Sequence, residues 1–426
     1  MVQLPNILWI VATQWRAQAL GFAGDINART PCLDQLALES VNYSQAVTPH
    51  PFGPFARAAM LTGRLAPENG VIDYFDSLPV GAGTIARDLA ERGYETAFFG
   101  KWHLAPRDRH VPLVGDEHAK QFVPPEYRGG FHFWEGFESG FLLNDPWLHG
   151  SRLPVPQQFP GYQSDVLCER AGEYIAAKAA LKLKRSLNAD DGRNDSPWFA
   201  VVSLESPHPP YNAGSAGIVP AAPQSISLRR NVPRGDGIEE KARRELAGYY
   251  AHIEATDRAI GRLLSAVRKE NTLVVFTSVH GDMHGAHGLF RKGWPYEESV
   301  RVPLLVRPPG HGIIPRVDQN PVSLVDLPRL TVSWAEGAAV AQDRHCSLIS
   351  MPSVVELPHQ CDRAWGGVRT STRKLILTAD GEPWLFFDLE RDPFEQENLI
   401  NEPARATELA ALRDLLRVPI KPKRFS

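Results

Sequence analysis

Asn6-Ile7-Leu8-Trp9-Ile10-Val11 is a short, nearly unbroken apolar run. A strand buried on both faces reads this way, because neither face meets water and no polar alternation is needed. Residues 96–99, 197–204 and 273–277 have the same character. Helical segments fall between them. Thr30-Pro31 opens one with proline in its first turn. Residues 84–92 form another, and 239–268 make a long one with apolar residues at helical spacing. Strands alternating with helices predict an α/β fold, with a large, mostly parallel sheet covered by helices on both faces. In such sheets, sites gather beyond the carboxyl ends of the strands.

Residues 107–165 are rich in Pro, Gly and aromatics, which suggests a long excursion over a pocket rather than core. Residues 180–196 end in a polar tract and read as an exposed insertion. Near residue 360 the pattern changes. Residues 365–369, 374–378 and 384–388 read as short antiparallel strands, with Ala379-Asp380-Gly381-Glu382 turning between two of them. A helix over 404–417 follows. The expected organisation is an α/β domain over 1–355 and a small C-terminal subdomain over 356–426, holding an antiparallel sheet and one helix.

The length of 426 residues is ample for a buried core. With 46 basic and 49 acidic residues, the net charge is −3. That balance offers no bulk electrostatic case for nucleic acid or a membrane surface as partner. No stretch has the length of a membrane span. Met1-Val2-Gln3-Leu4-Pro5 lacks the basic and apolar regions of a secretory signal, so a cytoplasmic location is expected. Cys32, Cys168, Cys346 and Cys361 are scattered and read as reduced thiols. A homo-oligomer stays open.

The chemistry-bearing motifs follow the strands in order. The first run leads into Thr13-Gln14-Trp15-Arg16. Arg57 to Arg64 reads R-A-A-M-L-T-G-R. Then come Phe99-Gly100-Lys101-Trp102-His103-Leu104, Ser206-Pro207-His208-Pro209-Pro210-Tyr211, and Thr277-Ser278-Val279-His280-Gly281-Asp282-Met283-His284-Gly285-Ala286-His287-Gly288. Lys292-Gly293 and Arg301-Val302-Pro303 follow, with Phe387-Asp388-Leu389 and Asp392-Pro393 near the end. Together these motifs resemble the sulfatase family of the alkaline phosphatase superfamily. They are similar also to the related phosphonate monoester hydrolases.

The resemblance implies a divalent cation held by acidic residues after the first and fourth strands. It also implies a formylglycine made from a signature cysteine, and Lys and His residues that clamp the anion and protonate the leaving group. This chain departs from that pattern. Counting back from Arg57, the cysteine position holds Gly53, or Phe52 with one inserted residue. Thr13 and Gln14 stand at the first two acidic positions and Val279 at the third, leaving His280 of the ligand set. A hard dication needs several oxygens, carboxylates above all, so no metal cofactor is expected. Zinc on His280, His284 and His287 is weighed against Gly281, Gly285 and Gly288, which interrupt any helix that would align them.

What remains is largely cationic. Lys101, His103, His208 and Lys292 are the expected catalytic residues. Arg57, His280, Thr13 and Gln14 are expected to bind substrate, and no residue is assigned to a metal. For any one His or Lys a supporting role in the fold is the commoner reading. The set as a whole predicts a pocket for a small organic anion such as a carboxylate, sulfate or phosphonate. Three readings follow. The first is a metal-independent enzyme using Lys/His acid–base chemistry, such as decarboxylation or elimination. The second is a catalytically inactive binding or regulatory protein. The third is an atypical sulfuric or phosphoric ester hydrolase.

Overall fold

The computed structural model describes residues 4–187, 196–310, 314–337 and 345–416. The 188–195 part of the expected insertion lies outside them. Among the described residues the main sheet has ten strands. Its centre runs Thr272–Ser278, Asn6–Ala12, Trp198–Ser203, Glu95–Lys101 and Phe133–Phe137, each parallel to its neighbour. Leu304–Arg307 pairs antiparallel on one side, with Val41–Tyr43 and Arg316–Asp318 beyond it, and Trp147–Gly150 with Leu153–Gln158 lie on the other.

Both faces of the first strand are buried, for the reason its composition suggests. Ile7, Trp9 and Val11 enter one hydrophobic core, while Leu8, Ile10 and Ala12 enter the other. The helix Gly53–Thr62 lies in the first core through Phe55, Ala56, Ala58 and Met60. The long helix Ile238–Ser265 fills the second through Leu246, Tyr249, Ile253 and Ile260. Fully burying one side chain of this size contributes about 1.5–3 kcal/mol.

The 107–165 segment corrects the expectation of an excursion outside the core. Phe133–Phe137 pairs in parallel with Glu95–Lys101, and Trp134 and Phe137 are buried. Trp134 and Phe137 are core-formers of the main sheet, so aromatic content alone did not mark a loop. Only the part beyond Phe137 reaches the pocket, through Phe141.

A second sheet of four antiparallel strands, Cys346–Met351, Trp365–Thr370, Arg373–Thr378 and Pro383–Asp388, forms the small C-terminal layer. It begins before residue 356. Buried charges fasten it to the main body: Lys374 Nζ lies 2.9 Å and Arg369 Nη2 3.0 Å from the carboxylate of Glu297. Glu297 follows Lys292 closely, so this anchorage also steadies one wall of the pocket. Among the described residues no helix is long and apolar enough to cross a membrane.

Gly248 shows how tightly the long helix sits under the pocket. A Cβ there would lie 1.8 Å from the carbonyl oxygen of Tyr211. Helix propensity alone favours Ala over Gly by about 1 kcal/mol. Gly248→Ala is nevertheless expected to destabilise the protein by about 1–3 kcal/mol, the usual cost of overpacking. Urea denaturation measures it, and a stabilising result would show that the Tyr211 loop yields freely.

Candidate active site

The ends of four parallel strands converge on one cleft. Asn6–Ala12 delivers Thr13 and Gln14, Glu95–Lys101 delivers Lys101 and His103, Trp198–Ser203 delivers Glu205 and His208, and Thr272–Ser278 delivers His280 and Asp282. The cleft, about 270 Å³ with the open solvent at its mouth included, is lined by Thr13, Gly53, Lys101, His103, His208, His280 and Lys292. Phe52, Tyr74, Phe141 and Leu357 complete its walls. All four expected catalytic residues therefore share one pocket, with Thr13 and His280.

Arg57 does not line this cleft. Its guanidinium donates to the carbonyl of Lys101 at 3.1 Å, to Ser203 Oγ at 2.6 Å and to Thr13 Oγ1 at 2.8 Å. Thr13 Oγ1 in turn donates to the Leu204 carbonyl at 2.7 Å. Arg57 thus braces three strand ends from behind. Gln14 is also committed. Its Nε2 donates to Tyr211 Oη at 3.2 Å and to Asp282, and its Oε1 accepts from Lys292 Nζ at 2.8 Å.

Lys292 has a second partner, His208 Nε2, at 2.9 Å. Nδ1 of that ring lies 2.8 Å from the Pro209 carbonyl. A carbonyl only accepts, so Nδ1 carries the proton and Nε2 receives a hydrogen from Lys292. The ring stacks on Phe141 at 4.7 Å between centroids. His280 is held in the same way, with Nδ1 2.9 Å from the Gly281 carbonyl. Its buried Nε2 has no hydrogen-bond partner among the described residues. Lys101 pairs with Glu205 at 2.7 Å and lies 4.4 Å from the centroid of the Phe141 ring.

Burial dominates the electrostatics. It lowers Lys292 to about 7, with Lys101 adding repulsion. It lowers Lys101 to about 8; Glu205 opposes the shift and Arg57 reinforces it. His103, His208 and His280 fall well below the ordinary histidine value, through burial first and neighbouring cations second. At neutral pH the three imidazoles are uncharged and Lys292 is near its midpoint.

These residues do not fit the family's divalent cation. Thr13 Oγ1 and Gln14 Oε1 are engaged by Arg57 and Lys292, and Val279 supplies no donor. Of the two carboxylates that the strand ends bring to the cleft, Glu205 is paired with Lys101, and Asp282 accepts from Tyr211, Gln14 and the backbone N–H groups of His284 and Arg291. Burial raises its pKa, but His284, Arg291 and these hydrogen bonds outweigh that and bring it to about 2. The zinc arrangement does not assemble either. His284 packs on Tyr249 at 4.2 Å and His287 on Tyr296 at 4.0 Å, both away from the cleft lining.

Sequence reasoning passed over Glu205, Asp282 and Phe141. Glu205 and Asp282 each lie within one short turn after an apolar strand, which was a usable signal. Phe141 had none, since its approach depends on how the 138–146 loop folds back.

The Sulfatase family model matches residues 5–338. An ulvan-active sulfatase of Formosa agariphila is 33% identical, over 94% of this chain and 78% of its own length. The phosphonate monoester hydrolase of Agrobacterium radiobacter superposes with a TM-score of 0.70 at 23% identity, covering 97% of this chain and 94% of its own. A structure in complex with its substrate D-glucosamine-2-N,6-O-disulfate superposes with a TM-score of 0.74 at 21% identity, covering 97% of both chains.

Glu205→Gln leaves the Lys101 ammonium buried without its counter-charge. The expected loss at pH 7 is about 3–5 kcal/mol, read by chemical denaturation. Because Lys101 is largely neutral above about pH 8, the loss should shrink at pH 9. A loss equal at both pH values would refute the pairing.

Proposed function

This chain belongs to the sulfatase family, and from that premise we propose that it cleaves a sulfate ester of a small organic molecule, such as a sulfated sugar, without a metal and without formylglycine. The observation that carries this reading is the Lys292–His208–Gln14 arrangement. An ammonium near its midpoint stands in the cleft, fixed by two acceptors.

Lys101 and Lys292 both line the cleft; Lys101 binds the sulfate oxygens directly and Lys292 faces the ester oxygen. Their charge does what a dication would do for a bound oxyanion. An ammonium has three hydrogens, and Gln14 and His208 take two of those on Lys292. The third serves the leaving oxygen. When the ester S–O bond breaks, its electron pair stays on that oxygen, which takes the Lys292 proton. A pKa near 7 suits this general-acid role at neutral pH. His280 Nε2, a buried acceptor, orients a hydroxyl of the substrate. The sulfate class is favoured over carboxylate and phosphonate by the kinship with sulfatases.

A binding-only role is the second reading, and one observation favours it. Thr13, Gln14, Arg57, Tyr211 and Asp282 already satisfy one another, as in a site that keeps its architecture for support. It predicts stabilisation by sulfate with no turnover.

Chelator-treated protein should cleave 4-nitrophenyl sulfate as fast as untreated protein, with no stoichiometric metal by elemental analysis. Activity lost with chelator and restored by a divalent cation would sink the metal-free reading. In parallel, a thermal-shift panel of sulfate, phosphonate and carboxylate anions should favour sulfate.

The pH dependence follows from the lysines. Bound anion favours the ammonium form, so each lysine takes up a proton on binding once the pH exceeds its free-site value. Affinity for sulfate, by calorimetry, should hold below about pH 7. It should fall as pH rises through 7 and 8, by up to about tenfold per pH unit for each lysine. A flat profile from pH 6 to 9 would exclude direct lysine binding.

A further inference from the structure

We propose that His103 is the nucleophile of this site, attacking the sulfur through a ring nitrogen and carrying the sulfuryl group as a covalent adduct. This rests on the reading that the cleft cleaves a sulfate ester.

The geometry turns on Gly53. It opens the helix Gly53–Thr62, and a Cβ placed on it would lie 3.0 Å from His103 Nδ1 and 3.3 Å from Cε1. A side chain at residue 53 and the imidazole of His103 therefore compete for one space. Here the imidazole has it. The helix brings residue 53 to the cleft, but what stands at the reacting position belongs to residue 103.

The backbone is bent to put it there. His103 has φ 62°, a left-handed conformation uncommon outside glycine. Its N–H is tied to the Glu138 carbonyl at 2.9 Å, which secures the bend. The ring meets Tyr74 edge-on at 5.6 Å and Phe141 at 6.3 Å. These aromatic neighbours fix its orientation and offer its nitrogens no hydrogen bond. Strain of this kind gathers where function over-determines the conformation.

The nitrogens are the second observation. Both Nδ1 and Nε2 are buried and without a hydrogen-bond partner among the described residues, although the residue lines the cleft. His208 and His280 differ, since each commits Nδ1 to a carbonyl. A buried imidazole with neither nitrogen committed has a free lone pair for a substrate atom. Burial and the cations Arg107, Lys101, Arg57 and Lys292 disfavour its protonation, which keeps that pair available.

The steps balance. The unprotonated nitrogen forms an N–S bond as the ester S–O bond breaks, and the leaving oxygen takes a proton from Lys292. Water then attacks the sulfur, the N–S electron pair returns to the ring, and neutral Lys292 accepts the water's proton. Alcohol and sulfate are released, and the site returns to its starting state.

The experiment mixes the full-length protein with 4-nitrophenyl sulfate, quenches at alkaline pH within the first turnovers, and maps peptides by mass spectrometry. The expected result is an added SO₃ on His103, with turnover in His103→Asn reduced at least about a thousandfold. Circular dichroism of the variant checks that it folds, and the adduct on the unaltered protein does not depend on that check. Turnover with no adduct on His103 overturns the proposal and leaves the ester-cleavage reading standing. Sulfate binding with neither turnover nor adduct overturns it in favour of the binding-only role. Neither binding nor turnover overturns both readings of the cleft.

Discussion

One buried guanidinium holds the strand ends that make the cleft. Arg57 bonds Thr13 after the first strand, the carbonyl of Lys101 at the end of the second, and Ser203 at the end of the third. The helix that carries it opens with Gly53, so the same element brings residue 53 to the cleft and fixes the distance between its walls. All three acceptors are neutral. The guanidinium therefore adds positive potential behind the lysines without facing the cleft itself. Arg57, expected to bind substrate, spends its guanidinium on strand ends and does not line the cleft.

On that frame, an ammonium meets an amide at a position where the family pattern has an acid. Lys292 bonds Gln14, and Gln14 bonds Asp282, whose charge is also met by Tyr211 and two backbone N–H groups. Gln14, a departure from the family pattern, is tied to Lys292, which matches it. A carboxylate at position 14 could not donate to Asp282. An amide there donates to Asp282 and accepts from Lys292 at once. This one substitution links Lys292, Asp282 and Tyr211 into a connected network in space.

Much of the fold was legible from local pattern. The four core strands lie within a residue or two of their apolar runs, and the long helix follows its periodicity, because full burial leaves a composition that has one reading. The strands within 107–165 were missed. There Phe133, Trp134 and Phe137 are aromatics flanked by Pro and Gly, and pairing with Glu95–Lys101, far off in sequence, is what makes them core. The small C-terminal sheet was read for three strands, while Cys346–Met351 gave no such sign. It alternates between buried and half-buried positions only because Trp365–Thr370 lies beside it.

The sequence by itself determined the architecture, the family, and which residue types stand at the strand ends, Gly53 and the absent carboxylates among them. Those are properties of residue identity and order. Tertiary structure alone decided how they are used. Arg57 turned from the cleft, Glu205 became the partner of Lys101, and the His103 ring took the space that Gly53 leaves empty. The reason is physical. A side chain's role depends on the direction in which it points and on which partners satisfy its buried polar atoms, and both are set by residues tens to hundreds of positions away.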